Sequence, residues 1–322
     1  MKKPDSGFIA LIIVAVFFIL IQSLASARLL NPYIQTIICY AGIVAISALG
    51  LNLIYGYTGQ FSLGHAAFYG IGAYTAALTT RLLPGNGFWN LAIGLIAGTA
   101  VAGMIAFLIG LPILRLKSDY LGIATLGFGM IMNVLFKNSD KAIPLMGGAS
   151  GMRGIAKLTT IPWVFVLLLL TVLALRNLIY SGIGRALLSV REDELAAESV
   201  GINTTRYKTL GFVIGCMFAG LAGGLYAHLY NYLNPDNFDF LKSIDVLLIV
   251  VIGGMGSISG TVLAAIIWAS LLEGLRIVLP SAFQEWRMVI YPLLLIVFML
   301  FRPGGAMGGT EFNFLKPREY RH

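Results

Sequence analysis

The chain has 322 residues, 58% of them hydrophobic and 11% charged, and its 22 Lys and Arg outweigh 14 Asp and Glu to give a net charge of +8. Soluble globular domains carry about a quarter charged residues, so the composition excludes that class and points to a bilayer. The basic residues are scattered between apolar runs rather than gathered in one patch, which excludes a nucleic-acid surface and suits juxtamembrane positions.

In chain order, Lys2 and Lys3 precede an apolar run that ends near Ala25-Ser26-Ala27, a pattern close to a cleavable signal peptide. The run is longer than a signal core, so it reads as a first spanning helix over 8–26. Further helices are predicted over 34–55, 64–82, 90–113, 119–136, 161–179, 208–230, 241–254, 257–279 and 287–301. Charges and turn residues bound these segments, since an unpaired charge at the bilayer centre costs about 2.5–3.5 kcal/mol. The expected fold is all-α, a polytopic transmembrane helical bundle of about ten membrane segments. The segment 241–254 either spans or enters from outside as a half-helix, because it is short, follows the polar stretch 231–239, and runs into Gly253, Gly254, Gly256 and Gly260. Unwound backbone survives in a bilayer only when protein or water shields it. Cys39 and Cys216 lie in apolar stretches without metal or redox spacing and read as packing residues.

With Lys2 and Lys3 inside, the loop 181–208 and the tail bearing Lys316, Arg318 and Arg321 are inside too. That loop is the long hydrophilic stretch of the membrane region. A single short helix is expected over 185–200, with Ala186, Leu187, Val190, Ala196, Ala197 and Val200 on an apolar face and Arg191, Glu192, Asp193, Glu194 and Glu198 supplying charge. Gly201 suits its C-terminal cap, and Asn203 the start of the next helix. On periodicity alone this is a solvated or interfacial connector. Glu194-Leu195-Ala196-Ala197 with Gly201 nevertheless resembles the Glu-Ala-Ala...Gly loop by which ATP-binding-cassette permeases dock on their ATPases.

A second stretch runs Gly56-Tyr57-Thr58-Gly59-Gln60-Phe61-Ser62-Leu63-Gly64-His65-Ala66-Ala67-Phe68-Tyr69-Gly70-Ile71-Gly72-Ala73-Tyr74. Its glycines allow a sharp turn and close helix approach, while Gln60, Ser62 and His65 bring hydrogen-bonding groups into an apolar setting. His65 has no second ligand at metal spacing and reads as a neutral packing histidine, so no metal site is expected. Glu273 and Arg276 stand three apart and read as a structural pair. No Asp or Glu reads as central in a span, which argues against an ion-coupled transporter or channel. No catalytic constellation and no phosphate-binding Gly-x-x-x-x-Gly-Lys-[Ser/Thr] loop occurs, which argues against an intramembrane enzyme or an ATPase.

Taken whole, the second stretch resembles the LivM-type permeases of branched-chain amino acid ABC transporters. Leu114-Arg115-Leu116-Lys117-Ser118-Asp119-Tyr120 with Ile123-Ala124-Thr125-Leu126, Gly147-Gly148-Ala149-Ser150-Gly151, Gly253-Gly254-Met255-Gly256-Ser257 and Phe301-Arg302-Pro303 are similar to further motifs of that family. Met146, Ser118 and Gly305-Ala306-Met307 depart from its pattern and blur the substrate, since related permeases move urea and short amides. The resemblance implies a non-catalytic permease subunit of a bacterial inner-membrane importer, with a permease domain over 1–305 and a cytoplasmic tail over 306–322. It implies a heterodimer with a LivH-like permease, two ATPases that bind ATP and Mg, a periplasmic binding protein, and no cofactor on this chain. Arg185, Arg191, Glu192, Asp193, Glu194, Ala196, Ala197 and Gly201 are then expected at the ATPase contact. Gly59, Gln60, Ser62, His65, Thr125, Gly253, Gly254 and Ser257 are expected along the translocation path.

Overall fold

The computed structural model describes residues 22–23, 31–83, 85, 87–114, 118–278, 293, 296–298, 300–302, 304–308, 310–312 and 315. Its helices are α1 (Pro32–Leu51, extended by a π-helical turn at Asn52–Tyr57), α2 (His65–Leu82), α3 (Phe88–Ile113), α4 (Ser118–Lys137), α5 (Ile161–Ile179), α6 (Gly182–Glu192), α7 (Glu194–Ser199), α8 (Thr204–Tyr230), α9 (Phe240–Gly253) and α10 (Ile258–Val278). Two short antiparallel strands, β1 (Met152–Arg153) and β2 (Tyr232–Leu233), tie the loops at one end of the bundle.

Among the described residues, five helices are long and apolar enough to cross a membrane: α1 with its π-helical turn, α3, α4 from Tyr120, α5 and α8. The 14 residues of α9 rise only about 21 Å, short of a hydrocarbon core of about 30 Å. The expected helices over 8–26 and 287–301 lie largely outside the described residues, as do the side chains of Glu273 and Arg276 and most of the tail.

Small residues set the centre of the bundle. A Cβ at Gly72 of α2 would lie 2.1 Å from the Gly220 carbonyl oxygen of α8, and one at Gly98 of α3 would lie 2.7 Å from the Gly72 oxygen. Three backbones therefore meet there, and α1 packs on α8 in the same way where Gly50 faces Gly215. Lipid is as apolar as leucine, so close contact of this kind rather than the hydrophobic effect holds membrane helices together. Phe68, Tyr74, Phe212 and Phe238 fill the space above these crossings, and Tyr74 stacks on Phe136 at 4.7 Å. Ile93, Ile96, Met104, Phe107 and Leu108 leave the outer side of α3 exposed and apolar, as a lipid-facing surface requires.

Two expectations need correction. The single helix over 185–200 is two helices broken at Asp193, whose backbone is extended and whose side chain accepts a hydrogen bond from Ala196 N at 3.0 Å. Asp is a strong N-cap residue and a weak helix former, so it starts α7 rather than continuing α6. The span occupied by α9 does carry an acidic residue, Asp245, half-buried in its second turn. On the same helix Lys242 donates from Nζ to Tyr40 OH at 2.8 Å.

Candidate functional site

The α6–α7 unit hangs between α5 and α8. Ser181 caps α6, and Ala186, Leu187 and Val190 turn inward, Leu187 joining Tyr57, Leu175, Ile179 and Leu315 in one apolar cluster. Behind α7, Gly201 has φ +85 and the chain closes with a paired C-terminal cap, Gly201 N to Glu198 O at 2.9 Å and Ile202 N to Ala197 O at 3.1 Å. Asn203 accepts from Arg206 N to start α8, Thr204 Oγ1 donates to Glu198, and Lys208 pairs with Glu194 at 2.5 Å. These contacts hold α7 as a rigid knob on the end of α8.

Of the residues expected at the ATPase contact, Arg185, Arg191, Glu192, Asp193, Glu194, Ala196 and Gly201 are exposed, whereas Ala197 is buried and anchors α7. Leu195 and Val200 were not among them, yet they are 78% and 74% exposed, more than is usual for apolar side chains at a folded surface. No spacing rule separates Leu195 from its neighbours, because a six-residue helix is too short to show a period.

Arg191, though exposed, reaches back to the bundle with its guanidinium. Its Nη1 donates to the Gly56 carbonyl at 2.5 Å, at the end of the π-helical turn. Its Cγ lies 3.2 Å from where a Cβ on Gly59 would stand, and Nη1 lies 3.2 Å from the equivalent point on Gly256. Both glycines have positive φ, +69 and +79, which an L side chain rarely adopts.

Two glycine breaks therefore meet at one end of the bundle, one between α1 and α2, the other between α9 and α10. Asn52, fully buried, joins them: its Nδ2 donates to Ser257 O and Thr261 Oγ1, and its Oδ1 accepts from Gly256 N, each at 2.9 Å. Gly64 gives α2 no side-chain cap, and Ser257 caps α10 only in part, its Oγ accepting from Gly260 N at 3.0 Å. Ser243 Oγ of α9 accepts from Ala66 N at the start of α2 at 2.9 Å. Glu311 accepts from Ile258 N, Ser259 N and Ser259 Oγ at the start of α10, and from Tyr57 OH. These contacts satisfy donors that a helix N-terminus leaves open. Glu311 and Leu315 thus pack on the bundle, with Arg176 Nε donating to Leu315 O at 2.7 Å.

From Thr58 to Gly64 the chain runs back between the helices, and its burial alternates as in a strand. Gln60, Ser62 and Gly64 face inward, while Gly59 is exposed and Phe61 and Leu63 are half-exposed. Thr125 of α4 accepts from Leu63 N at 3.0 Å, and His65 Nε2 donates to Ser47 O at 2.9 Å. The structure so gathers Gln60, Ser62, His65 and Thr125 on one side of the breaks and Gly253, Gly254 and Ser257 on the other. All seven are buried within this chain. Among the described residues, the side-chain amide of Gln60, the hydroxyl of Ser62 and Nδ1 of His65 have no hydrogen-bond partner. Sequence reading missed Asn52, Ser243 and Glu311. Asn52 left a faint signal, an amide inside the apolar run 34–55.

Comparison with known proteins returns one family, described as the permease component of the branched-chain amino acid transport system, over residues 33–299. The chain is 36% identical over 305 residues to the high-affinity branched-chain amino acid transport system permease protein LivM of Salmonella typhimurium, covering 84% of this chain and 68% of that one. Identity to the LivM protein of Escherichia coli strain K12 is 36% over 307 residues, with the same coverage. To the LivH permease protein of Escherichia coli strain K12 it is 29% over 288 residues, covering 83% and 92%. No solved structure matches the chain.

Proposed function

The chain belongs to the family of branched-chain amino acid transport permeases, and from that premise we propose that it is one permease half of an ATP-driven importer. In this reading a LivH-like second permease completes the path, a periplasmic binding protein delivers a branched-chain or related amino acid, and two separate ATPases supply the energy. This chain binds no cofactor of its own. It crosses the bacterial inner membrane about ten times, with both termini and the α6–α7 unit in the cytoplasm. Gly59, Gln60, Ser62, His65, Thr125, Gly253, Gly254 and Ser257 build the wall of the path and its hinges, with Phe61 and Leu63 turned outward from it.

The observation that carries this reading is the α6–α7 knob. It is braced from behind by Lys208, Gly201 and Asn203, and it offers Leu195 and Val200 to a partner with Arg185, Glu192 and Glu194 around them. A rigid apolar tip inside a charged rim is the form of an interface whose centre carries the energy and whose rim sets register.

Leu195→Asp with Val200→Asp changes only exposed positions, so the permease pair is expected to express and extract as the native chain does. Co-purification of the ATPases is expected to fall by roughly tenfold or more, as loss of a central apolar anchor does at other interfaces. Full ATPase recovery with undiminished uptake in vesicles would remove α7 from the docking surface. Titration of the partner binding protein with leucine, valine, urea and acetamide assigns the solute, and amide binding alone would displace the amino-acid reading.

A further inference from the structure

We propose that Arg191 is the transmission residue of this permease, a positioning group that carries movement of α6 into both glycine breaks at once. The inference rests on the importer reading above, in which α6 is driven from the cytoplasm.

Arg191 sits on the last turn of α6, on the unit that meets the ATPase, yet its side chain is committed to the membrane domain. Its ion pair with Glu192 is a long one, 3.9 Å from Nε to Oε1 at an exposed carboxylate. Its guanidinium instead holds Gly56 O directly and lies against Gly256, while its stem lies against Gly59. One nitrogen, Nη1, makes both approaches, and the planar guanidinium holds it in place more rigidly than a freely turning ammonium would.

What it grips is built to move. Gly56 closes a π-helical turn, an arrangement common at functional sites. Gly59, Gly254 and Gly256 all have positive φ and supply hinge freedom on both sides. Asn52 makes the two breaks a unit, because the residue that receives its hydrogen bond from Gly256 N lies one turn before Gly56. A displacement of α6 through Arg191 therefore reaches the start of α2 and the start of α10 together. Each of those helices takes a side chain from elsewhere at its first turn, Ser243 for α2 and Glu311, beside the Ser257 cap, for α10.

A staple that merely stiffens the fold and a transmission residue differ in one readout, the solute moved per ATP hydrolysed. The test uses the complete complex with its partner permease, ATPases and binding protein in proteoliposomes. Arg191→Ala and Arg191→Gln are expected to assemble with the ATPases and hydrolyse ATP within about twofold of the native rate, while solute moved per ATP falls roughly tenfold, the scale of a broken coupling between sites. Arg191→Lys, which keeps a donor for Gly56 O but not the planar group that packs it against Gly256, is expected to fall between. Spin labels at Leu63 and Met255, beside the two breaks, are expected to change separation on vanadate trapping in the native complex and not in Arg191→Ala, while a label at Ser199 responds in both.

Unchanged solute per ATP in Arg191→Ala, or label movement that survives the substitution, overturns the proposal. So does ATPase binding lost in step with uptake, which would make Arg191 a docking residue. Absence of ATP-dependent uptake by the native complex is a different failure, because it removes the importer reading beneath.

Discussion

Replacing Gly72 with leucine is expected to prevent folded protein from accumulating in the membrane. The Cβ alone would lie 2.1, 2.4 and 2.5 Å from the O, Cα and C atoms of Gly220. These are backbone atoms of the central helix α8, so no side-chain rotation gives relief. Moving α2 away would open the Gly98 contact to α3 and the Gly223 contact, where a Cβ would stand 1.9 Å from Tyr69 O. Overpacking costs typically 1–3 kcal/mol and more where backbone blocks the way; a loss of at least about 3 kcal/mol is expected here. Gly127 of α4, which has no neighbour within 4 Å of its Cβ position, is the internal control. Gly127→Leu should leave stability within about 0.5 kcal/mol. Yield and melting temperature after detergent extraction read both. Equal behaviour of the two variants would show that the crossing of α2, α3 and α8 is looser than described.

Asn52→Ala is the second large effect. The substitution removes two donated hydrogen bonds from a buried amide and leaves the part-buried Gly256 N–H without its acceptor. An orphaned buried donor costs about 1–3 kcal/mol. Hydrogen bonds between membrane helices average nearer 0.6 kcal/mol, because the unfolded chain in the bilayer also finds partners. A loss of about 2–4 kcal/mol follows, with uptake falling further than stability because the two breaks no longer move together. The pairing can be isolated with Thr261→Val in a double-mutant cycle. Additive effects in that cycle would mean that Asn52 and Thr261 do not share the described bond, and stability unchanged by Asn52→Ala would remove the clamp altogether.

Much of this architecture is legible in the sequence, and the reason is local. Charge spacing places α1 to α5 and α8 to α10 within a few residues of where they lie, because a bilayer penalises misplaced charge so heavily. Gly201 and Asn203 announce their caps, since positive φ and N-capping are single-residue preferences. Asp193 carries the same kind of signal, but the apolar rhythm of 185–200 hides it. What sequence does not reveal is pairing across distance. Asn52 finds partners 205 and 209 residues away, and Arg191 crosses 135 residues to Gly56. Nothing in the residues of 185–200 tells which of its charged side chains faces the bundle and which the solvent. Gln60 and Ser62 are similar cases: their polarity marks a special segment, but only its strand-like alternation settles that they face inward.

The carboxylate on α10 has a consequence for biosynthesis. Ile258 begins a helix whose first turn is closed by Ser257 at Gly260 N and by Glu311 at Ile258 N and Ser259 N, and 53 residues separate Ile258 from Glu311 in the chain. A ribosome therefore delivers the helix well before the group that completes its first turn, and the open N–H groups of Ile258 and Ser259 face a temporary gap in the nascent protein. Closure of this end of the bundle, including the seat of Tyr57 against Glu311, is a late step of maturation that follows insertion of α10 instead of accompanying it.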